Sequence, residues 1–256
     1  MSAAEVPAPP RITLGGVKVD VLSRAGWTER VVASCRRRAA DGPTVIVAAN
    51  GQVIATCAME PSYRNLIRQA DGVTADGQPL VWASRLTRFP LPERAATTDL
   101  FHDVASAAER EGLSFFLLGA TERSSAVAEA RIRSMYPRLR IVGRRHGYFE
   151  PGGEDGIVRE INALKPDVLW VGLGIRRQES FALRNRAGLR DVGCILTCGG
   201  LFDYFTDEVR RAPPWMQQFG LEWLFRTWQS PRQYLVRYLT TNPLAALLLL
   251  AATRSR

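Results

Sequence analysis

The chain has 256 residues, of which 46% are hydrophobic, and this is enough apolar material for a large core and excludes wholesale disorder. Lysine and arginine number 34 against 25 acidic residues, which gives a net charge of +9. A surplus of this size favours a polyanionic partner, and the charge alone leaves nucleic acid, an anionic membrane surface and substrate phosphates all open.

The first residues and the cysteines bear on the compartment. Residues 1–10 have neither the basic start nor the apolar centre of a signal peptide, and we expect them to form a disordered lead. The cysteines, Cys35, Cys57, Cys194 and Cys198, form no CxxC pair, and no histidine lies at metal-ligand spacing from them. Buried thiols in a reducing cytoplasm are therefore the preferred interpretation.

Apolar runs and helical stretches alternate along most of the chain. The patterns predict a short strand at 17–21 and a helix at 27–40, followed by strands at 45–50, 114–119, 140–143, 167–174 and 193–200. Helices are predicted near 62–70, 79–88, 99–111, 122–135, 154–164 and 176–187. Because the strands are continuously apolar, residues 11–205 are predicted to form a Rossmann-like, mostly parallel α/β sheet with helices on both faces.

The composition changes after about residue 205. Residues 206–256 are rich in arginine and aromatic side chains, and we expect a helical appendage of three short helices, broken at Pro231 and Pro243. The longest apolar run, 244–252, is shorter than the roughly 20 residues that span a bilayer, which predicts that the chain does not cross a membrane. The aromatic and arginine side chains fit a membrane interface with anionic head groups, or a subdomain whose rings pack inward.

Polar residues at predicted strand ends are the first candidates for chemistry. Asn50 ends the strand at 45–50, and Asp76 follows a short strand in the phrase ADGQP. A carboxylate at a strand's carboxyl end is well placed to act as a general base, although Asp-Gly also forms ordinary turns. The glycine loops at 117–130 and 171–180 could face a phosphate or merely allow close packing.

Several motifs are absent. There is no DxD pair and no histidine cluster, so we expect neither a catalytic metal nor a cofactor, and arginines and helix N-termini would have to meet any diphosphate charge. Two other functions stay open at this point. A nucleic-acid-binding protein would explain the charge and the tail, and a nicotinamide-dependent oxidoreductase could share the fold, although no GxGxxG is present.

Several phrases along the chain match those of one known family. From about residue 15 to 240 the sequence resembles the WecG/TagA/CpsF glycosyltransferase family. The matching phrases, in family order, are ADGQPLVWASRL (75–86), LPERAATTDL (91–100), FFLLGA (115–120), YPRLRIVGRRHGYF (136–149), INALKPDVLWVGLGIRRQE (161–179), GGLFDYF (199–205), RRAPPWMQQFGLEWLFR (210–226) and SPRQYLVRYLTTNP (230–243).

The resemblance implies an inverting, metal-independent transferase that moves a hexose-type sugar from a UDP-sugar donor to an undecaprenyl-diphosphate-linked sugar acceptor. It places such a protein peripherally on the cytoplasmic face of the bacterial inner membrane, on an anionic surface, with no nucleic-acid partner. By position, Asp76 matches the family's proposed general base, Asn50 the strand-end Asn, Arg94 the Arg of the PER phrase and Gln178 the Gln of the PKQE phrase. The candidates for phosphate contact in the tail are Arg211, Arg226, Arg232 and Arg237.

The chain also departs from the family pattern. Ala48 stands where a Thr is usual, RRQE (176–179) replaces PKQE, and Thr97 replaces a Gly before the Thr-Asp pair. After Pro231 the usual Arg-Arg is Arg232-Gln233. These changes leave Asp76 in place, but one hydroxyl contact is lost and one phosphate contact is no longer implied by the resemblance. The sugar specificity of other members is therefore not carried over.

Overall fold

The structure is a computed structural model, and it describes residues 9–37, 42–150, 152–206 and 208–254. The predicted disordered lead therefore lies, apart from residues 9 and 10, outside the described residues, as does the end of the helix predicted at 27–40. Along the chain, a small hairpin comes first and an α/β body follows.

The strands form two sheets. The hairpin pairs β1 (Arg11–Leu14) with β2 (Val17–Asp20), and the main sheet contains β3 (Thr44–Ala49), β4 (Gly72–Ala75), β5 (Ser114–Gly119), β6 (Arg140–Arg145), β7 (Val168–Gly172) and β8 (Cys194–Thr197). The main sheet has the order β4-β3-β8-β7-β5-β6, and every neighbouring pair is parallel. The predicted parallel sheet is confirmed, whereas β1 was not predicted.

Helices connect the strands and cover both faces of the sheet. Those of the body are α1 (Arg24–Arg37), α2 (Gly51–Met59), α3 (Pro61–Ile67), α4 (Gln78–Ser84), α5 (Thr97–Glu111), α6 (Glu122–Met135), α7 (Glu154–Leu164) and α8 (Arg177–Arg184), with a 3-10 helix at Leu201–Phe205. Alternate residues of one strand join different cores. Leu169 and Val171 of β7 pack in one buried cluster, and Val168 and Trp170 pack in the other.

The tail contains α9 (Pro214–Gln218), α10 (Glu222–Gln229) and α11 (Pro231–Ala251). A helix does begin at Pro231, but the predicted break at Pro243 is wrong, because Pro243 lies inside α11. A proline in a helix costs about 3 kcal/mol, and packing of Ala245 and Leu249 into the core on the α2 side offsets this. At its end, Arg254 exchanges backbone hydrogen bonds of 2.8 and 2.9 Å with Thr13 of β1.

The continuity of α11 also alters the membrane prediction. That prediction was based on the apolar run 244–252 alone, whereas helix α11 has 21 residues. Among the described residues, α11 is the one helix that could cross a membrane by length and composition. Only 17% of its apolar 18-residue segment is buried. Run length therefore does not exclude a membrane span, contrary to the sequence prediction.

Candidate active site

A cavity of about 710 Å³ lies at the carboxyl ends of the parallel strands. Its lining contains residues that directly follow five strands: Asn50 after β3, Asp76 after β4, Ala120 after β5, Leu173 after β7 and Cys198 after β8. Residues of helices α10 and α11 of the tail also line the cavity. Ligands of open parallel sheets bind at this edge, and the volume suits a small organic ligand.

Asp76 is held at the floor of the cavity by its neighbours. Its backbone N–H donates to the Ala49 carbonyl at 2.8 Å, which extends the pairing of β3 and β4 by one residue. The backbone N–H of Thr97, the first residue of α5, donates to Asp76 Oδ1 at 3.2 Å. The side chain is 22% exposed, so the carboxylate is fixed but accessible from the cavity.

The surroundings of Asp76 make it a stronger base than a surface aspartate. Burial raises the pKa of its carboxyl group from 3.8 to about 6, and the negative charge of Glu222 adds to the rise. The charge of Arg94, the Thr97 N–H and the charge of Arg226 act in the opposite direction. A carboxylate with a pKa close to neutrality is both ionised at pH 7 to 8 and able to accept a proton effectively.

Arg94 links Asp76 to the tail. Its Nε donates to the Asp76 carbonyl oxygen at 3.0 Å, and its Nη2 lies 4.0 Å from Asp76 Oδ1. The same Nη2 donates to Glu222 Oε2 of α10 at 2.6 Å. Arg94 is 15% exposed and lines the cavity, but Glu222 already neutralises its charge.

Asn50 and Gln178 line the cavity and also support its loops. Asn50 Oδ1 accepts a hydrogen bond from the Val53 N–H at 3.2 Å and caps α2. Gln178 Oε1 accepts from the Gly199 N–H at 2.9 Å, and its Nε2 donates to Glu179 at 2.7 Å. Both side chains therefore shape the strand-end loops that form the floor of the cavity.

The tail arginines divide into two groups. Arg226 and Arg237 line the cavity, whereas Arg211 and Arg232 do not. Arg211 forms a two-pronged ion pair with Asp99 of α5, with one N–O distance of 2.8 Å, and Arg232 is exposed in the first turn of α11. The structure thus brings Asp76, Asn50, Arg94, Gln178, Arg226 and Arg237 together around one cavity.

Arg226 and Arg237 are packed between tyrosine rings. The Arg226 guanidinium lies 5.4 Å from the Tyr204 ring centre and 5.0 Å from that of Tyr234. Arg237 lies 4.5 Å from the ring centres of both Tyr234 and Tyr238. Neither forms an ion pair of 4.0 Å or less with a carboxylate of the described residues, and both have a buried Nε that lacks a hydrogen-bond partner. Two positive charges are therefore available to an anion in the cavity.

Comparison with known families identifies the chain. The model of the "Glycosyl transferase WecG/TagA/CpsF family" matches residues 12–256, which is nearly the whole chain. The protein belongs to this family. It is therefore a glycosyltransferase of cell-surface polysaccharide synthesis, a process linked to membranes, and it requires a sugar donor and an acceptor. This membership favours the transferase over the nucleic-acid-binding and oxidoreductase alternatives.

The glycines of this transferase serve packing as well as the cavity. A side chain on Gly119 would place its Cβ 2.3 Å from the Gly172 carbonyl oxygen, so the ends of β5 and β7 approach closely only because this residue lacks one. Gly172 and Gly174 also line the cavity. The close-packing interpretation of the glycine loops is therefore confirmed, and phosphate binding at the second loop stays a prediction.

Sequence reasoning missed several cavity residues of the transferase. Tyr204, Tyr234 and Tyr238 hold the arginines, and Glu222 holds Arg94. The spacing of Tyr234, Arg237 and Tyr238 on one helix was a usable signal, because residues three and four apart share a face. No comparable signal marks Glu222, since its partner is remote in sequence.

No metal site is evident in the part of the chain that the structure describes. It contains no group of three or more His, Cys, Asp or Glu side chains that could hold a metal ion. All four cysteine side chains are buried, as predicted for Cys194 and Cys198. Positive charge in the cavity comes instead from arginine side chains.

Proposed function

We propose that the protein is an inverting, metal-independent transferase that moves a hexose-type sugar from a UDP-sugar to an undecaprenyl-diphosphate-linked sugar, with Asp76 as the general base. The observation that carries the proposal is the shared cavity. It contains a fixed carboxylate with a pKa of about 6 on the body, and on the tail Arg226 and Arg237, which form no ion pair of 4.0 Å or less with the described carboxylates.

The proposed reaction is a single displacement. The oxygen of an acceptor hydroxyl attacks the anomeric carbon of the donor sugar, and Asp76 accepts the hydroxyl proton. The bond between the anomeric carbon and the β-phosphate oxygen breaks, and its electron pair leaves with UDP. Assistance by a general base is typically worth about 10²–10⁴ in rate. Of the other cavity carboxylates, Glu222 is bound to Arg94 and Tyr204, and we assign neither it nor Asp203 as a nucleophile. A single displacement without such a nucleophile inverts the configuration at that carbon.

Stabilisation of the leaving diphosphate falls to the tail. Arg226 and Arg237 can donate charge-assisted hydrogen bonds to diphosphate oxygens, since no ion pair with the described carboxylates occupies them. Arg94 contributes less to the diphosphate in this arrangement, because Glu222 accepts its Nη2 hydrogen bond. Arg211 contributes to the shape of the tail through its pair with Asp99.

The outer surface of the tail supports a peripheral position on the cytoplasmic face of an anionic membrane. Val236, Leu239, Leu247 and Leu250 recur at helical spacing along α11, and their side chains are 63–76% exposed. Arg232 continues this stripe at the start of the helix, where it is exposed and suited to a lipid phosphate. Trp228 of α10 is 78% exposed, as is typical of side chains at a membrane interface.

A donor screen tests the proposal. The purified protein is incubated with a panel of UDP-sugars and a synthetic lipid-diphosphate-sugar acceptor, products are detected by mass, and the new linkage is assigned by NMR. We expect one hexose-type sugar to be added with inverted configuration. Retained configuration would refute the inverting mechanism, and transfer only from another nucleotide donor would refute the UDP-sugar donor.

Chelation tests the metal-independent part of the proposal. We expect the transfer rate to persist in excess EDTA, because the cavity supplies arginines instead of a metal-binding carboxylate cluster. A loss of activity that added Mg²⁺ or Mn²⁺ restores would contradict it. The same treatment of a known metal-dependent transferase serves as the control for complete chelation.

A further inference from the structure

Two carboxylates compete for one guanidinium at the boundary between body and tail. Arg94 Nη2 lies 2.6 Å from Glu222 Oε2 and 4.0 Å from Asp76 Oδ1. The hydrogen bond therefore goes to the tail residue, and Asp76 keeps only a weaker, longer-range interaction with this charge. Arg94 also remains tied to the Asp76 carbonyl through Nε at 3.0 Å, so it is held beside the base.

Glu222 is itself held in place. It lies in the first turn of α10, and its side chain is 16% exposed. Tyr204 donates its hydroxyl hydrogen to Glu222 Oε1 at 3.3 Å, so both carboxylate oxygens have partners. A fixed, largely desolvated negative charge at this place opposes ionisation of a neighbouring carboxyl group.

We propose that Glu222 is a positioning residue that holds Arg94 away from the Asp76 carboxylate and so keeps Asp76 a strong base. The inference rests on the proposed role of Asp76 as the base. It gives the tail a second contribution to the site, since α10 sets the charge around the base besides supplying arginine to the diphosphate. In the absence of Glu222, Arg94 would turn fully to Asp76 and weaken it as a proton acceptor.

The charged and titratable groups around Asp76 define what else could alter its ionisation. They include Arg94 from the loop before α5, Asp203 and Tyr204 from the 3-10 helix, Glu222 and Arg226 from α10, and Tyr234, Arg237 and Tyr238 from α11, all of which line the same cavity. Burial raises the pKa of Asp76 most, and Glu222 is the one neighbouring charge that raises it further. Removing this charge alone should therefore lower the pKa.

The test measures the ionisation of Asp76 directly, in the full chain and without substrate. Aspartate is labelled with ¹³C at the carboxyl carbon, the Asp76 resonance is assigned by its absence in Asp76→Asn, and its titration midpoint is compared between wild type and Glu222→Gln. We expect the midpoint to fall by about one pH unit, which is the size of effect that one nearby charge exerts. An unchanged or higher midpoint would overturn the inference.

Matched variants separate charge from packing. Glu222→Asp keeps the charge and should keep the wild-type midpoint, and Glu208→Gln removes an exposed tail carboxylate and should also leave it unchanged. If Glu222→Asp shifted the midpoint as far as Glu222→Gln, packing would be the cause and the inference would fail. Glu222→Met, which is apolar and of similar length, provides a second neutral variant if the amide destabilises the fold.

Kinetics add a readout that a purely structural role would not move. The acidic limb of kcat/KM against pH should shift down together with the NMR midpoint in Glu222→Gln, and the plateau should fall by about three- to tenfold as the base weakens. The NMR titration needs no turnover, so it can be interpreted even if Asp76→Asn retains activity. Retained activity of Asp76→Asn would refute the role of Asp76 as the base. An unchanged midpoint in Glu222→Gln would refute only the role of Glu222.

Discussion

Asp76 illustrates how the proposed chemistry and stability oppose each other at one residue. The folded protein raises the pKa of its carboxyl group from 3.8 to about 6, chiefly through burial. The folded state therefore binds this proton more tightly than the unfolded chain does. Consequently the contribution of Asp76 to the free energy of unfolding falls as the pH rises from about 4 to about 6.

Replacing Asp76 by Asn should remove this penalty. At pH 8 we expect the variant to be more stable than wild type by up to about 3 kcal/mol, because each pKa unit corresponds to about 1.4 kcal/mol. As the pH falls below about 4 the difference should shrink towards zero, because the wild-type carboxyl group becomes protonated in both states. Urea unfolding at pH 3.5 and pH 8 measures the difference, and Asp191→Asn, at a partly exposed site, is the control. A less stable variant at pH 8 would contradict the argument.

Single residues at strand ends were predictable from the sequence, whereas residues of the tail were less so. Asp76 and Asn50 follow apolar strands, and parallel strands end at a common edge. In the tail, the direction in which each arginine side chain projects from its helix determines whether it faces the cavity. Arg232 and Arg237 are five positions apart, which separates their directions by roughly 140°, so only one of them can face the cavity.

Two helices show where local patterns are insufficient. Helix α2 was missed because Asn50 was considered only as a strand-end ligand, although its side chain also caps the helix that follows. Helix α11 continues through Pro243 because its next residues pack into the core, and no local pattern conveys that packing. Both helices face the cavity, and they contact each other where Gly51 lies close to Ala245.

The exposed stripe of α11 leads to a prediction about membranes. Replacing Val236, Leu239 and Leu250 by Ser should reduce co-sedimentation with anionic liposomes, because each buried apolar side chain contributes about 1.5–3 kcal/mol. Transfer to a short, soluble acceptor analogue should persist, since none of the three lines the cavity.

A matched control distinguishes a specific role of this stripe from nonspecific liposome binding by exposed apolar side chains. Met135 and Leu164 are also exposed, at 52% and 40%, but they belong to α6 and α7 of the body. Their replacement by Ser should leave liposome binding unchanged. Equal binding by the α11 variant and wild type would contradict a membrane role for the stripe.

At the scale of the whole molecule, the fold class could be predicted, but the strand order and the packing of the tail could not. Continuous apolar strands between helices indicate a sheet covered on both faces, and six parallel strands are observed. The strand order depends on how each connection crosses the sheet, and strand composition does not encode it. The return of the tail over the strand ends likewise depends on tertiary packing, including the bridge between Arg254 and Thr13.

This assembly explains why the site is composite. The proposed base lies on the body, the cavity arginines of the tail lie on α10 and α11, and the pair of Arg94 with Glu222 joins the two. The body alone would present Asp76 without the positive charges that face it. We therefore expect the tail to be required for chemistry as well as for the proposed membrane attachment.

The most direct test of the account is the transfer rate of Asp76→Asn. Against wild type, and with Asp203→Asn as a matched change of a second cavity aspartate, we expect the Asp76 variant to lose about 10²–10⁴ in turnover while its affinity for UDP stays within about twofold. Asp203→Asn should keep most of the rate. An Asp76→Asn enzyme that retained more than about a tenth of the wild-type rate would contradict the assignment of the base.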